Sequence, residues 1–183
     1  CSDYTAQHRW IMEYSIATKF SNQYLMGLCA VETPYVLTAQ EDFVLYADVD
    51  EAAIAKEMEL LHGDGHYKCS RLIDSGRELQ YSMQATIWDT RCLRALYANM
   101  EAKTPWDAEA AGEQLLRWPS SPSCRQRRDD HLPMRGRNHR DSPIFPYIAT
   151  ALVRGKWNAD YRAELEPLHK EYGIDAAQRG WTE

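Results

Sequence analysis

Seven arginines fall between Arg117 and Asp141, at positions 117, 125, 127, 128, 135, 137 and 140, and no lysine joins them. Lysine would serve equally well for mere solubility. Arginine adds a planar fork that pairs bidentately with phosphate or carboxylate and stacks on bases and aromatic rings. Arg125, Arg127, Arg128, Arg135, Arg137, His139 and Arg140 are therefore the candidate anion- or partner-binding residues, with His131 and Asn138 as further donors beside them.

Charge is unevenly spread. The arginine segment also holds Asp129, Asp130 and Asp141, so it carries +4 and leaves −10 on the rest of a chain whose formal net charge is −6. An acidic body with one basic segment has two natural uses for it: an external anionic surface, or its own carboxylates. Nucleic acid is a possible external partner, but a dedicated nucleic-acid binder is usually basic overall. Other protein subunits fit better.

A second cluster brings His62, Asp64, His66 and Cys69 within eight residues. Imidazole, carboxylate and thiolate are the ligand set for zinc or a similar transition metal. The spacing argues against it, because Gly63-Asp64-Gly65 makes a turn between the histidines where a two-histidine helix face would need a continuous helix. The simpler reading of His62, His66 and Cys69 is a polar turn after a helix, with no metal and no cofactor. A third candidate is Cys92 near a helix start, where the dipole would favour a thiolate nucleophile. Its place beside the apolar Leu93 points instead to a small core residue. No phosphate-binding glycine loop, paired CxxC or GxSxG elbow is present.

Six tryptophans and eleven tyrosines are many for 183 residues. Trp106, Trp118, Trp157 and Trp181 lie in the C-terminal half near expected helix ends. Tryptophan and arginine are the residues enriched at interface hot spots, while packing of helix ends onto a sheet would use the same tryptophans.

The elements that must position these groups follow from periodicity. Arg9 to Thr18 alternates as a half-buried strand, Gln23 to Val31 reads as a strand or a short helix, with the strand preferred, and Tyr35 to Thr38 and Phe43 to Val49 read as further extended pieces. Asp50 caps a helix over Glu51 to Leu61, in which Ile54, Met58 and Leu61 recur at helical spacing. His66 to Ile73 and Glu78 to Trp88 read as a hairpin, with Leu79, Tyr81, Met83, Ala85 and Ile87 on one face. Asp89 or Thr90 caps a helix with the stripe Leu93, Leu96, Tyr97 and Met100. Pro105 ends it, and Asp107 caps another helix to about Arg117. Five prolines from Trp118 to Pro146 leave no helix or strand period, so that stretch reads as one irregular arm. Ile144 to Arg154 reads as helical after Pro146, and a last helix runs from Asn158 or Asp160 to about Tyr172, with Pro167 inside it.

These elements imply an α+β fold: an antiparallel sheet with helices on one face, whose order from Phe43 to Met100 matches a split β-α-β-β-α, ferredoxin-like core. Residues 1–117 form this domain, 118–146 the Arg/Pro-rich arm, and 147–183 a C-terminal helical extension. No run of about eighteen apolar residues suggests a membrane span. Five cysteines, odd in number and none in a CxxC pair, suit free thiols in a reducing compartment, the cytoplasm or an organelle matrix. A Cys1 start would also suit a lipidated terminus or a cleaved targeting peptide. The function expected from this pattern is that of a non-catalytic binding or assembly subunit, docking through the arginine arm and the aromatic C-terminal half. A small enzyme acting on an anionic substrate near His62 to Cys69, or an RNA-binding protein, is the alternative.

Overall fold

The computed structural model describes residues 19–40, 43–63, 65–74, 76, 79–118, 121, 123–129, 131–132, 134–135, 139–148 and 150–183. The strand expected over Arg9 to Thr18 lies outside them.

At the centre is a four-stranded sheet built from β1 (Tyr35–Thr38), β3 (Tyr67–Arg71), β4 (Thr86–Asp89) and β5 (Ser123–Arg125), in the order β1-β4-β3-β5. β4 is antiparallel to both β1 and β3, with Cys69 opposite Trp88 and Leu37 opposite Ile87. β5 then pairs parallel to β3, bringing Cys124 beside Cys69. The expected split βαβ counted Phe43 to Val49 as its first strand, but that stretch lies outside this sheet, and Tyr35–Thr38 takes the edge beside β4 instead. The fourth strand, β5, also departs from a ferredoxin-like sheet, because it lies at the β3 edge and runs parallel to its neighbour.

The helices cover both faces of this sheet, where the sequence suggested one. Alternate residues show it. Cys69 and Trp88 join a core with Leu93, Leu96, Tyr97 and Leu116, while Ile87 joins Leu61, Leu72, Ile73 and Phe145 in another. The first core lies under α1 (Phe20–Cys29), α3 (Thr90–Ala98) and α4 (Pro105–Leu116); the second lies under α2 (Glu51–Gly63). The apolar area buried on both sides is the main drive to fold.

Local chemistry explains most of the ends. Asp50 accepts from the Ala53 N–H at 2.9 Å, and Asp89 accepts from the Cys92 N–H at 2.9 Å, so both expected caps form. Pro105 begins α4 where it was expected to end the preceding helix. Thr104 is the N-cap and Asp107 completes a capping box, leaving proline at N1, where an N–H would have no intrahelical partner. Over Gln23 to Val31 the helical alternative, α1, forms in place of the preferred strand. Its Tyr24 stacks on Tyr97 at 4.4 Å, and the Arg94 guanidinium donates to Leu28 O at 2.9 Å and to Val31 O, satisfying carbonyls at the helix end.

Two expected strands are shorter than their alternation suggested. Of Phe43 to Val49 only β2 (Val44–Leu45) is a strand, paired with β8 (Tyr147–Ile148). The contact continues as single bonds, Tyr46 N–H to Pro146 O at 3.2 Å and Asp50 N–H to Ile144 O at 2.9 Å. Pro143 and Pro146 have no N–H to return, so no regular ladder forms. The second arm of the expected hairpin narrows to β4. Upstream, the N–H groups of Tyr81 and Met83 donate to the Glu113 and Glu109 carboxylates of α4, at 2.9 and 2.8 Å. Side chains have taken donors that a ladder would have used.

The arginine arm is not wholly irregular. It supplies β5 to the sheet, and β6 (Met134–Arg135) pairs with β7 (His139–Arg140). Ile144 to Arg154, expected to be helical, holds β8 and β9 (Leu152–Val153). β9 turns through Arg154 and Gly155, both at positive φ, into β10 (Lys156–Trp157). Asn158 then caps a single 3-10 turn before α5 (Arg162–Glu171), which carries Pro167 and is followed by Gly173 at φ +64°. This C-terminal part has its own core of Ile148, Ala151, Tyr161 and Leu165.

Candidate functional site

The arginines are placed first by their partners. Arg125, on β5, pairs with Glu57 of α2, whose carboxylate also accepts from the Ser70 hydroxyl at 2.7 Å. Burial pushes the Glu57 carboxyl up, but the bonds from Arg125 and Ser70 and the charges of Arg125 and Arg127 outweigh it and hold it below its ordinary range. Arg127 grips Asp129, two residues away, through two guanidinium nitrogens.

Asp74 is the hub of the arm. It is 1% exposed and lies just after β3. Its carboxylate accepts from the Asp129 N–H at 2.9 Å and the Gly76 N–H at 2.7 Å, and lies 3.3 Å from Arg140. The Arg140 N–H donates to the Asp74 carbonyl at 2.7 Å, and its guanidinium to Leu132 O at 2.5 Å. Burial raises the Asp74 carboxyl, yet these N–H groups and the charges of Arg140 and Arg128 bring it below its ordinary range. Arg128 is exposed but near enough to contribute. Arg135 and His139 face each other in the β6–β7 register, and Arg137 lies outside the described residues. Arg125, Arg127 and Arg140 are thus bound to carboxylates of their own chain.

His62, His66 and Cys69 are not brought together. Cys69 is buried in the core under α1, α3 and α4. The two histidines line separate hollows on either side of the β4–α3 junction. His62 stands 3.5 Å from the Tyr35 hydroxyl. Among the described residues no three histidine, cysteine or acidic side chains form a group that could hold a metal ion. Burial pushes the Cys92 thiol up to about 11, and the nearby Asp89 adds to it. The Cys69 thiol is raised well above its ordinary value, chiefly by burial and then by Cys124 beside it. Both thiols are held protonated, which removes the nucleophilic thiolate.

No protein-family model matches this chain, and no curated protein matches it.

The described tryptophans divide into two groups. Trp157 and Trp181 pack against the His169 ring, at 4.3 and 5.6 Å between centroids, and Arg162 lies 4.5 Å over Trp181. Trp88 is sealed beneath the sheet's helices. By contrast, Trp106 is 77% and Trp118 is 69% exposed. Trp106 follows the first residue of α4, and Trp118 comes two residues after its last. The Trp118 carbonyl accepts from the Ser121 N–H at 2.8 Å, so this tryptophan sits on a bonded turn. Sequence reasoning marked all four C-terminal tryptophans alike. Proximity to a capping box on one side and a turn on the other does not reveal which way an indole points.

Among the described residues no helix is long and apolar enough to cross a membrane.

Proposed function

We propose that the chain is a non-catalytic docking subunit that binds another protein through the surface around α4, with Trp106 and Trp118 as anchors. The observation that supports this reading is the exposure of those two indoles at the ends of an otherwise well-packed helix. A large ring left in water forgoes roughly 25 cal/mol for each Å² it could bury. Rigid aromatic anchors are what hot spots are made of. The internal pairing of Arg125, Arg127 and Arg140 moves the expected docking role from the arginine arm to this aromatic surface. The arm in this reading ties the second core to the sheet edge. Raised thiol pKa values at Cys69 and Cys92 favour binding over thiol catalysis.

The test is site-specific photo-crosslinking in the native cell, with the crosslinker at position 106 or 118 and a control at the exposed Glu59 of α2. A protein captured from 106 or 118 and not from 59 supports the reading. Its affinity for purified chain should then fall about 30-fold or more when both tryptophans become alanine. Equal capture at Glu59, or affinity unchanged in the double variant, contradicts it.

A further inference from the structure

Cys69 of β3 and Cys124 of β5 are Cα partners in the parallel register at the sheet edge. Both side chains are buried in the same core, on the face covered by α1, α3 and α4, and the two thiols share a hydrogen bond. We propose that this pair is a disulfide site, a redox lock that closes to fix β5, and with it the start of the arginine arm, to the sheet. Nothing in it depends on the tryptophan surface, so it stands or falls independently of the docking reading.

Geometry selects this pair. Neighbouring strands lie about 4.8 Å apart, and a disulfide needs Cα atoms about 4.4–6.8 Å apart with Cβ atoms that do not point away from each other. Register partners in one core meet both conditions. The other described thiols do not. Cys92 influences Cys69 less than Cys124 does, and it sits on α3 rather than in the sheet. Cys29 is the exposed last residue of α1. On the β4 side Cys69 is opposite Trp88, so Cys124 is its one thiol neighbour in the sheet.

Sealed thiols do not react, so access depends on how β5 is held. It has three residues and lies at the edge of the sheet. The ladder that joins it to β3 shifts register between Tyr67 and Cys69. The Ser123 N–H reaches His66 O at 3.4 Å and the Cys124 N–H reaches the Gln80 side chain at 3.5 Å, both long for hydrogen bonds. Its charged tether is the Arg125–Glu57 pair. Such an edge opens locally at less cost than the strands inside the sheet, and its opening brings both sulfurs to solvent.

The oxidant is a small-molecule disulfide such as oxidised glutathione. One protein thiol, deprotonated in the opened edge, attacks it, forming a mixed disulfide and releasing one small thiolate. The second protein thiol then attacks the protein sulfur of that mixed disulfide, forming the Cys69–Cys124 bond and releasing the second small thiolate. The two S–H protons end on the two released thiolates, so two electrons pass from the protein to the oxidant. The new bond joins positions 55 residues apart and holds β5 shut.

The test equilibrates the full chain in glutathione buffers of graded thiol-to-disulfide ratio, traps free thiols by alkylation in denaturant and maps crosslinked peptides by mass spectrometry. Two thiols should disappear together in the oxidising buffers, with Cys69 and Cys124 in one crosslinked pair, and a reducing buffer should restore both. Cys124→Ser should abolish that crosslink and Cys92→Ser should retain it. Arg125→Ala should speed closure about fivefold or more, because it frees the edge. The oxidised chain should melt about 5 °C or more above the reduced one. The wild-type map alone decides if Cys124→Ser does not fold. Both thiols still alkylated in the most oxidising buffer, a crosslink that joins a different pair, or closure only in chain refolded from urea overturns the lock.

Discussion

Arg125 and Glu57 join the two ends of this fold: the arginine sits on the last strand to enter the sheet, and the carboxylate sits on the helix that covers its second face. Glu57 is 12% exposed in its side chain and Arg125 is 38%. Solvent therefore screens one partner more than the other. Replacing Arg125 by alanine leaves Glu57 with the Ser70 hydroxyl alone, and about 1–2 kcal/mol of stability should go. Urea denaturation measures it, with Arg117→Ala, whose guanidinium is 67% exposed in its pair with Glu113, expected within about 0.5 kcal/mol of wild type.

Asp74 should be far more costly to lose. It is fully enclosed and gathers two N–H groups and a guanidinium onto one carboxylate. Asp74→Ala leaves those donors open and should cost about 3 kcal/mol or more. The loss should appear locally as well. Limited proteolysis should cut between Arg125 and Arg140 in the variant well before it cuts the wild type.

Acid should loosen the same contacts. Glu57 and Asp74 both have folded-state values below their ordinary 4.5 and 3.8. A depressed carboxyl stabilises the fold fully above its ordinary value, and that contribution is lost as pH falls through the folded value. The urea midpoint should therefore fall below about pH 4.5 from these groups, and less steeply in Glu57→Gln. A Glu57→Gln curve parallel to wild type throughout the acid limb would contradict the assignment.

Gly112 is expected to tolerate no side chain. A Cβ there would lie 2.5 Å from Cγ of the Tyr81 ring. That ring cannot swing aside freely, because its hydroxyl is 2.6 Å from the Tyr97 hydroxyl and 3.1 Å from the Met83 sulfur. Gly112→Ala gains helix propensity but should still destabilise, by about 1–3 kcal/mol. Thermal melting decides the sign.

His169 offers the opposite case. Its ring is buried between Trp157 and Trp181, and neither ring nitrogen has a hydrogen-bond partner. Phenylalanine keeps the stacking and removes two polar atoms. His169→Phe should leave the melting temperature unchanged or higher, whereas His169→Ala should lose about 2–4 kcal/mol.

The sequence was legible where a residue's role is local. The caps at Asp50 and Asp89, the helix after Asp50, the buried stripe of Leu93, Leu96, Tyr97 and Met100, and the strand at Tyr35 all follow from nearest neighbours. Legibility ended where a partner lies far along the chain. Of the alternation from Leu79 to Ile87 the apolar half held, since Tyr81, Met83, Ala85 and Ile87 are all buried, but Ser82 and Thr86 between them are buried as well, so no wet face alternates with it. The stretch did not make a long strand, because carboxylates some 26 to 32 residues later took its donors. Strand β5 was hidden because proline spacing gives no period and its pairing partner, β3, comes 55 residues earlier by the register of Cys69 with Cys124. Of the candidate site, His62 and His66 were singled out from their chemistry, and the structure places both at the hollows.

The account rests on the arginine segment being clasped to its own body, which leaves the tryptophan surface for a partner. Hydrogen–deuterium exchange of the free chain tests this most directly. The Asp129 amide, donating to the Asp74 carboxylate, and the Arg140 amide, donating to the Asp74 carbonyl, should exchange about as slowly as neighbouring amides of β3, and the Asp129 amide should lose that protection in Asp74→Ala. Exchange of those two amides at the rate of an open chain, while β3 stays protected in the wild type, would contradict the clasp and return the arginines to the role of a free docking arm.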